Sequence, residues 1–421
     1  MPFHVIICGA GLAGLGAAIA LRRKAHKVTV LEAAQQLSEI GAGIQAPPNS
    51  CRVLESYGIL DDLVRHVVRP ESIQFRRYSS GKVIGKTPLR PTMTDKYGFP
   101  YLLIHRADYQ ECLFDHPHAD KVEESGPRVF LSSGEVLKAD VIVGADGIRS
   151  RTRACVLGGD DASPTASSNC AFRATVPRDV MLANPGTHHL INDVHANCWI
   201  GYQKHIMAYP IRGGQLYNLV MSHPGHASVG KWNEAGNMLE KKQHYRTFDP
   251  AILAVLENVD SSLKWELADL PALPTWVSSQ SRVVLIGDAA HGMLPYLAQG
   301  AATATEDGAS LAECLSRATE AEAIPKALAI FHNIRKPRCE TIQALSRTNG
   351  DIWHLPDGPE QNQRDQFMTG MTGQTRSESG TSAQKPNRWS DNQLQPWPFG
   401  YDVIKEVRHS IPQRPTHFAE N

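Results

Sequence analysis

A glycine turn lies close to the start of the chain, between a short apolar run and a helical pattern. Gly9, Gly11 and Gly14 form a GxGxxG sequence there. In a strand–turn–helix unit of this kind, the first glycine allows the tight turn and the second lets the backbone approach a pyrophosphate. The third lets the helix pack closely on the strand. The N terminus of the helix then offers free N–H groups and a positive dipole end to the phosphates.

An acidic residue completes this pattern. A second apolar run, residues 28–31, ends at Glu32, eighteen residues after Gly14. An acid at about this distance is placed to accept hydrogen bonds from a ribose hydroxyl. The start of the chain therefore predicts a βαβ unit that binds a dinucleotide.

Composition excludes several other classes of protein. The 421 residues are long enough for two or three domains, and 42% hydrophobic with 20% charged residues is typical of a globular protein. The formal net charge is zero, which argues against nucleic acid as a partner. The apolar runs are too short or too broken to span a bilayer. Eight cysteines without CxxC spacing predict reduced thiols and no metal site. We expect a cytoplasmic monomer or homodimer.

Strand patterns recur later in the chain. Residues 141–147 and 283–288 each read as a buried strand that runs into a glycine turn. Three other runs, 171–176, 205–211 and 216–221, are typical of strands. These three predict a mainly antiparallel sheet in a separate domain.

Only one GxGxxG sequence occurs, so any second nucleotide must bind outside the N-terminal fold. Three later segments, 144–150, 282–291 and 295–301, narrow the choice of nucleotide. Together with the glycine turn they resemble the single-component, FAD-dependent aromatic hydroxylases of the p-hydroxybenzoate hydroxylase fold. The likeness runs from residue 3 to about residue 365.

Within that family the chain is most similar to the salicylate hydroxylase-like monooxygenases, many of them fungal. The segments 294–301, 306–308 and 353–360 carry this likeness. The resemblance implies an α/β fold with a Rossmann-like FAD-binding domain and a mixed sheet, an antiparallel β-sheet substrate domain, and C-terminal helices. The implied boundaries are 1–70, 101–165 and 275–350 for the FAD-binding domain, 71–100 and 166–274 for the substrate-binding domain, and 351–421 for a helical or extended tail.

The resemblance also implies a set of FAD contacts. They are Gly9, Gly11 and Gly14 at the pyrophosphate, Glu32 at the adenosine ribose, Arg106 at the phosphate or ribityl region, Asp146 at FAD and the nicotinamide nucleotide, Asp288 at the ribityl chain, and the backbone of Gly300 and Ala301 at the pyrimidine edge. A helix that begins near Gly300 would place its positive end beside flavin N1 and O2, where reduced flavin carries negative charge. Structural alternatives stay open: a helix N-cap for Asp288, a surface salt bridge for Arg106 and a turn for Asp146.

The chemistry that the resemblance implies needs NADPH or NADH and O2 as cosubstrates. In this family NAD(P)H reduces the flavin, O2 then gives a C4a-hydroperoxide, and its distal oxygen is transferred to an electron-rich ring. A phenol is a poor nucleophile until its hydroxyl is deprotonated, so a base must lie within hydrogen-bond reach.

Two residues of the strand pattern at 205–211 are candidates for this task. His205 and Tyr209 are four residues apart, and an even separation on a strand places both on one face. Related hydroxypyridine-carboxylate hydroxylases hold a His and Tyr pair at matching positions near the substrate. We therefore predict His205 as the proton acceptor, since the pKa of histidine suits that role, and Tyr209 as a hydrogen-bond partner of the substrate. The alternative is a strand pair without a catalytic role.

Two further residues are predicted to contact the substrate. Arg173 matches a position where related enzymes hold a phenolate or carboxylate, and a guanidinium suits a planar carboxylate. Its alternative is a structural ion pair. Tyr296 precedes the segment predicted to face the flavin and could touch the ring of the substrate. His291 is expected to be structural.

The sequence therefore predicts an FAD-dependent monooxygenase that hydroxylates a phenolic or hydroxybenzoate-like substrate, such as a salicylate or a phenol of secondary metabolism. Two alternatives stay open. One is the same flavin chemistry on an indole or an alkene. The other is a degenerate, non-catalytic homologue that binds FAD.

Overall fold

The computed structural model describes residues 1–34, 43–114, 127–131, 133–159, 162–226, 234–235, 238–259, 261–371 and 394–410. Residues 372–393 and 411–421 of the predicted tail lie outside the described residues.

The strands, in chain order, are β1 (His4–Cys8), β2 (Lys27–Leu31), β3 (Gly43–Ala46), β4 (Ser72–Arg77), β5 (Val83–Pro88), β6 (Leu102–His105), β7 (Arg128–Phe130), β8 (Val136–Lys138), β9 (Val141–Gly144), β10 (Thr165–Pro177), β11 (His195–Gly201), β12 (Lys204–Ile211), β13 (Leu216–Pro224), β14 (Glu234–Ala235), β15 (Leu263–Asp269) and β16 (Val283–Leu285).

The helices are α1 (Leu12–Arg23), α2 (Pro48–Ser56), α3 (Leu60–Val64), α4 (Thr92–Tyr97), α5 (Arg106–Phe114), α6 (Arg151–Val156), α7 (Arg178–Ala183), α8 (His188–Asn192), α9 (Met238–Tyr245), α10 (Pro250–Glu257), α11 (Asp288–His291), α12 (Gly300–Leu315), α13 (Ile324–Trp353), α14 (Pro359–Met371), α15 (Pro396–Phe399) and α16 (Val403–Ser410).

A four-stranded parallel sheet forms around the N-terminal unit, in the order β16-β9-β1-β2. Its strands are short apolar runs, as expected where helices cover both faces of a parallel sheet. The chain leaves β1 toward β2 on one side, whereas β9 and β16 lie on the other side. Open parallel sheets bind ligands at such a switch point, outside the carboxyl ends of the strands. The residues that follow β1, β9 and β16 therefore meet at one edge.

Helix α12 packs against α1 through small residues. A Cβ placed on Gly308 would lie 2.8 Å from the backbone nitrogen of Ala17, so only glycine permits this helix–helix distance. Close packing on α1 brings the N terminus of α12 to the same edge of the parallel sheet as the glycine turn.

The second sheet has eight strands in the order β14-β15-β10-β13-β12-β11-β4-β5. Its described pairs are antiparallel, except that β11 pairs with β4 in parallel. The register joins Trp265 to Ala171, Ala171 to Ser222, and Ser222 to His205. Because partners in adjacent strands project from the same face, these four side chains form one row across the sheet.

The C-terminal helices return to the first sheet's side of the molecule. Val403 and Val407 of α16 are buried in the same hydrophobic cluster as α12. The guanidinium of Arg338 in α13 lies 3.7 Å from the ring centroid of Tyr401 and also bonds Glu306 of α12. These contacts tie residues 394–410 to the helix that faces the glycine turn.

The predicted fold class is confirmed: parallel and antiparallel sheets combine with C-terminal helices. Within the described residues, the strands of the N-terminal sheet all run parallel, and antiparallel pairing occurs beside it in β3–β6 and β7–β8. Among the described helices, none combines the length and the apolar character needed to cross a bilayer.

Candidate active site

A cavity of about 320 Å³ lies between the carboxyl edge of the parallel sheet and one face of the eight-stranded sheet. It joins residues that were predicted separately to bind cofactor and substrate. Those that line it are Gly11, Arg106, Asp288, Gly300 and Ala301 from the first group, and Arg173, His205 and Tyr209 from the second.

The glycine turn forms one end of this cavity. Gly9 has a φ of 112°, a left-handed conformation that favours glycine, and its N–H donates to the carbonyl of Leu31 at 2.7 Å. A Cβ on Gly14 would collide with the carbonyl of Gly9, whereas a Cβ on Gly11 would meet no atom within 4 Å. The space beside Gly11 is therefore open to a ligand such as a pyrophosphate.

Glu32 stabilises the turn from outside the cavity. Its carboxylate accepts hydrogen bonds from the N–H groups of Ala10 at 2.7 Å and Ala34 at 2.9 Å. The side chain is exposed and does not line the cavity. Its contact with a ribose stays a prediction.

Asp146 bonds the backbone at the start of α6. Its carboxylate accepts from the N–H groups of Arg151 at 2.8 Å and Thr152 at 3.0 Å, and from the hydroxyl of Ser150 at 2.5 Å. This arrangement matches the turn alternative for Asp146, and the residue does not line the cavity. Its contacts with FAD and a nicotinamide nucleotide stay predictions.

Arg106 and Asp288 lie where α5 and α11 begin, and both line the cavity. Burial lowers the pKa of Arg106, and the charge of Asp288 opposes this shift. The salt-bridge alternative for Arg106 is not observed among the described residues. Asp288 is exposed at the cavity, and the N-cap of α11 is Gly287, so the capping alternative is not observed either.

A buried ionic network supports the turn that presents Asp288. The carboxylate of Asp307 accepts from the N–H of Gly287 at 2.9 Å, from Nε2 of His291 at 2.6 Å and from Nε of Arg335 at 2.8 Å. His291 is fully buried in this pair, in keeping with the structural role expected for it. In the sequence, residues 306–308 indicated only the resemblance to the salicylate hydroxylase-like monooxygenases. This ionic network was not predicted from them.

The N terminus of α12 faces the cavity through Gly300 and Ala301. The N-cap residue Gln299 makes no capping side-chain hydrogen bond, so the first N–H groups of this 16-residue helix are available to a ligand. These N–H groups, the open space beside Gly11 and the guanidinium of Arg106 fit the anionic groups of FAD.

Arg173 lies at the other end of the cavity. Its guanidinium stacks 4.1 Å from the ring centroid of Trp265, and no carboxylate pairs with it among the described residues. Burial, together with the positive charge of Arg106, lowers the pKa of Arg173 to about 10. The alternative of a structural ion pair is therefore not observed, and the guanidinium can bind an anionic ligand.

His205 is 3% exposed and is held by a second histidine. Its Nδ1 lies 2.9 Å from Nε2 of His354, and the two rings stack with centroids 5.1 Å apart. Burial holds the pKa of His205 well below its usual value of 6.5, and the charge of His354 lowers it further. The free protein thus presents a neutral imidazole, which is the form that accepts a proton.

Tyr209 and Tyr296 occupy different positions. Tyr209 lines the cavity, as predicted, and its ring fills the space that a Cβ on Gly43 would need. Tyr296 is 4% exposed and lies beside the cavity, with its ring centroid 5.5 Å from that of His205. Its predicted contact with substrate stays a prediction, and its observed contacts support the imidazole.

Sequence reasoning did not identify His354 and Trp265 as parts of this site. His354 is 149 residues from His205, and no local spacing links them. Trp265 reaches Arg173 only because β15 lies next to β10. The first contact depends on where the end of α13 packs on the sheet and the second on strand order, and local patterns reveal neither.

The histidine pair predicts how stability responds to acid. Burial, with the charge of Arg364, lowers the pKa of His354 to about 4. In the unfolded chain this histidine binds a proton below pH 6.5, so stability falls as the pH drops from 6.5 toward 4. At pH 5 the loss from this one group amounts to about 2 kcal/mol. Glutamine does not titrate in this range, so the free energy of unfolding of His354→Gln should fall less than that of the unmodified protein between pH 7 and pH 5. We expect a difference of about 2 kcal/mol by urea denaturation. Equal losses in both proteins would contradict this assignment.

Comparisons with known proteins identify the family of this chain. The chain matches the family described as FAD binding domain over residues 3–346. It is 35% identical to the FAD-dependent monooxygenase OpS4 of Beauveria bassiana over 416 residues, which is 96% of each chain. It is 32% identical to 3-hydroxybenzoate 6-hydroxylase 1 of Aquipseudomonas alcaligenes, covering 88% of this chain and 95% of the relative.

A solved structure, described as a salicylate hydroxylase substrate complex, shares the fold with a TM-score of 0.77 at 23% identity, covering 98% of this chain and 99% of that one. The chain is thus an enzyme that uses FAD, with NAD(P)H as the cosubstrate typical of its relatives, and the non-catalytic alternative is not supported. It belongs to the FAD-binding domain family, and its predicted membership of the FAD-dependent aromatic hydroxylases is confirmed.

Proposed function

We propose that this enzyme hydroxylates a phenolic or hydroxybenzoate-like substrate with NAD(P)H and O2. One observation carries the proposal: a single cavity connects the open glycine turn to His205, Tyr209 and Arg173. We also propose the domain boundaries given under Sequence analysis. With those boundaries, the cavity would lie between the FAD-binding domain and the substrate-binding domain. The proposal also includes a cytoplasmic location, in keeping with eight free cysteines.

His205 is proposed to accept the proton of the substrate hydroxyl. With Nδ1 engaged by His354, Nε2 is the ring nitrogen that can face a ligand. The low pKa keeps the ring neutral in the free enzyme, and the tautomer in which Nδ1–H donates to His354 leaves Nε2 as the proton acceptor. Proton transfer would leave an imidazolium beside a phenolate, and their attraction in a buried cavity offsets the cost of charging the ring. The phenolate is the electron-rich form that attacks an electrophilic oxygen.

Arg173 is proposed to bind the anionic group of the substrate. The guanidinium of Arg173 is partly buried, and its Nε has no hydrogen-bond partner among the described residues, which is costly unless a ligand supplies the opposite charge. Its stacking on Trp265 fixes the plane of the guanidinium, which favours two parallel hydrogen bonds to a carboxylate. Tyr209 would donate a further hydrogen bond from the same face of the sheet.

When bound, FAD would supply the redox chemistry, which is to take electrons from NAD(P)H and to activate O2 so that one oxygen atom can be transferred to the ring. The chain contributes the surroundings. Gly11, Arg106, Asp288 and the N terminus of α12 would hold the cofactor. The cavity is lined by Met207, Val220 and Leu267 on the sheet side, and these apolar side chains help to exclude water from the ring.

The proposal is tested with the FAD-loaded enzyme. NADH and NADPH oxidation would be recorded with hydroxybenzoates, resorcinols, indole and a simple alkene, and each product would be identified by mass. We expect stimulated oxidation and the gain of one oxygen atom with at least one phenol. Loss of CO2 together with that gain would identify decarboxylative hydroxylation. Products from indole or the alkene alone would overturn the phenol proposal and favour the alternative.

A further inference from the structure

Helix α13 carries a stripe of buried polar side chains on one face. Gln343, Ser346 and Asn349 follow one another at intervals of three residues, and each is at most 4% exposed. At that spacing they lie along the same side of the helix. Buried polar groups are normally hydrogen-bonded, so their partners indicate what this stripe holds in place.

Each of these three side chains donates a hydrogen bond to a backbone carbonyl of the segment between α11 and α12. The pairs are Gln343 Nε2 with the carbonyl of Gly292 at 2.9 Å, Ser346 Oγ with that of Leu294 at 2.6 Å, and Asn349 Nδ2 with that of Tyr296 at 2.6 Å. The contact is close, because a Cβ on Gly350 would lie 2.5 Å from two atoms of the Tyr296 ring. Helix α13 therefore fixes every second carbonyl of residues 292–296.

This segment forms part of the cavity wall. Its residues that line the cavity are Met293, Leu294 and Pro295. Four residues after Tyr296 the chain reaches Gly300, where α12 begins and also faces the cavity. The ring of Tyr296 lies 5.5 Å from that of His205. The position of the segment therefore affects both the N terminus of α12 and the surroundings of the imidazole.

The same helix also holds the eight-stranded sheet. Nε2 of Gln343 lies 3.2 Å from the carbonyl of Leu270, the residue that follows β15. At the end of α13, Trp353 lines the cavity, and the next residue, His354, bonds His205. One helix thus joins the segment before α12 to the sheet that carries the proposed base.

We propose that Gln343, Ser346 and Asn349 are positioning residues, which set how far the aromatic ring of the substrate lies from the oxygen atom that is transferred to it. This inference rests on the proposed function. Transfer between two bound groups depends on their separation, and a displacement of about 1 Å can lower its rate about 10²-fold.

The fate of O2 reports this separation. In productive turnover, NAD(P)H, H⁺, O2 and the aromatic substrate give NAD(P)⁺, the hydroxylated ring and one water. Without transfer to the ring, NAD(P)H, H⁺ and O2 give NAD(P)⁺ and H2O2. Loss of hydrogen bonds from the stripe should therefore divert oxygen from product to peroxide, whereas a purely structural role would leave the ratio of the two unchanged per molecule of bound FAD.

The test uses the FAD-loaded enzyme and a phenol that it hydroxylates. Ser346→Ala removes one hydrogen bond to the segment, and Asn349→Leu removes another with little change in side-chain volume. Product, H2O2 and oxidised NAD(P)H are measured for each variant. We expect the product formed per NAD(P)H to fall by at least about threefold, with a matching rise in H2O2. The Kd for FAD should change by less than about threefold, because Gly11 and Arg106 are unaltered.

Thr348 provides a matched control on the opposite face of the same helix. Its exposed hydroxyl bonds the carbonyl of Ala344 within α13 at 3.1 Å, so Thr348→Val removes a hydroxyl without altering the contacts of the segment. This variant should keep the ratio of product to H2O2 of the unmodified enzyme. Ser346→Thr retains the hydroxyl and should recover most of the product lost in Ser346→Ala.

Hydrogen exchange of the apoprotein tests the same contacts without turnover. Peptides that cover residues 292–298 should exchange faster in Ser346→Ala than in the unmodified protein or in Thr348→Val, because fewer hydrogen bonds hold the segment. Equal exchange in the three proteins would overturn the inference.

The outcomes separate this inference from the proposed function. If Ser346→Ala and Asn349→Leu form as much product per NAD(P)H as the unmodified enzyme, or if Thr348→Val loses as much as they do, the positioning role is overturned while the proposed function stands. If the unmodified enzyme hydroxylates no phenol, both are overturned.

Discussion

His205→Gln is expected to lower kcat for hydroxylation by about 10²- to 10⁴-fold, the usual contribution of a positioned general base. Glutamine can still hydrogen-bond His354 but cannot accept the proton of the substrate hydroxyl. The Kd of the aromatic acid should change by much less than kcat, because Arg173 and Tyr209 still contact the ligand. Product formation under saturating substrate, normalised to bound FAD, measures the effect.

A matched control for this variant lies on the neighbouring strand. His195 of β11 bonds the hydroxyl of Ser72 at 3.1 Å and does not line the cavity. His195→Gln therefore tests whether loss of any histidine in this sheet lowers the rate. An unchanged kcat for His205→Gln, or an equal loss for both variants, would remove the proposed base.

The pH dependence of the unmodified enzyme gives a second measure of His205. Burial holds its pKa well below 6.5, so the imidazole stays in its acceptor form as the pH falls through 6.5. We therefore expect that titration of His205 causes no fall in kcat/KM near pH 6.5. Any fall at that pH should be present both in the unmodified enzyme and in His205→Gln. A loss at that pH, removed by the substitution, would show that the free imidazole titrates normally.

The second large effect is expected at the glycine turn, where two similar substitutions should act differently. Gly11→Ala adds a Cβ that meets no protein atom within 4 Å but points into the open space predicted for the pyrophosphate. Its backbone, with φ of −73°, is one that alanine adopts readily. We expect the free energy of unfolding of the apoprotein to change by less than about 1 kcal/mol, while the Kd for FAD rises by at least about tenfold.

Gly14→Ala should instead damage the fold itself. Its Cβ would overlap the carbonyl of Gly9, so α1 and β1 must move apart, at a cost of about 1–3 kcal/mol or more. Fluorescence titration of the apoprotein with FAD and urea denaturation measure the two properties separately. If Gly11→Ala binds FAD as tightly as the unmodified protein, the pyrophosphate does not lie beside Gly11.

The positions of the motifs in the candidate cofactor site were predictable, because each depends on local backbone geometry. Gly9, Gly11 and Gly14 act through backbone geometry that a few neighbouring residues determine, and the strand before Asp288 places that acid at the same edge as the turn. The even spacing of His205 and Tyr209 likewise predicted one shared face. Both line the cavity, since alternation along a strand is a property of the backbone.

The same motifs did not reveal the hydrogen-bond partners of their acidic side chains. Glu32 and Asp146 lie where their motifs predict, yet both carboxylates accept hydrogen bonds from nearby N–H groups. A carboxylate accepts hydrogen bonds from the nearest suitable donors in the protein. Whether it can also accept one from a ligand depends on the geometry of the folded chain. Contacts with a bound nucleotide at these two positions therefore stay predictions.

By itself, the sequence determined the nucleotide fold, the edge of the sheet where the glycine turn and Asp288 lie and the face of the strand that carries His205, because each follows from spacing over a few residues. Only the tertiary structure decided that His354 holds this imidazole and that Trp265 stacks on the guanidinium of Arg173. These contacts join residues from strands and helices that are distant in the chain. Strand order and register bring Arg173 and Trp265 together, and the packing of the end of α13 on the sheet brings His354 to His205.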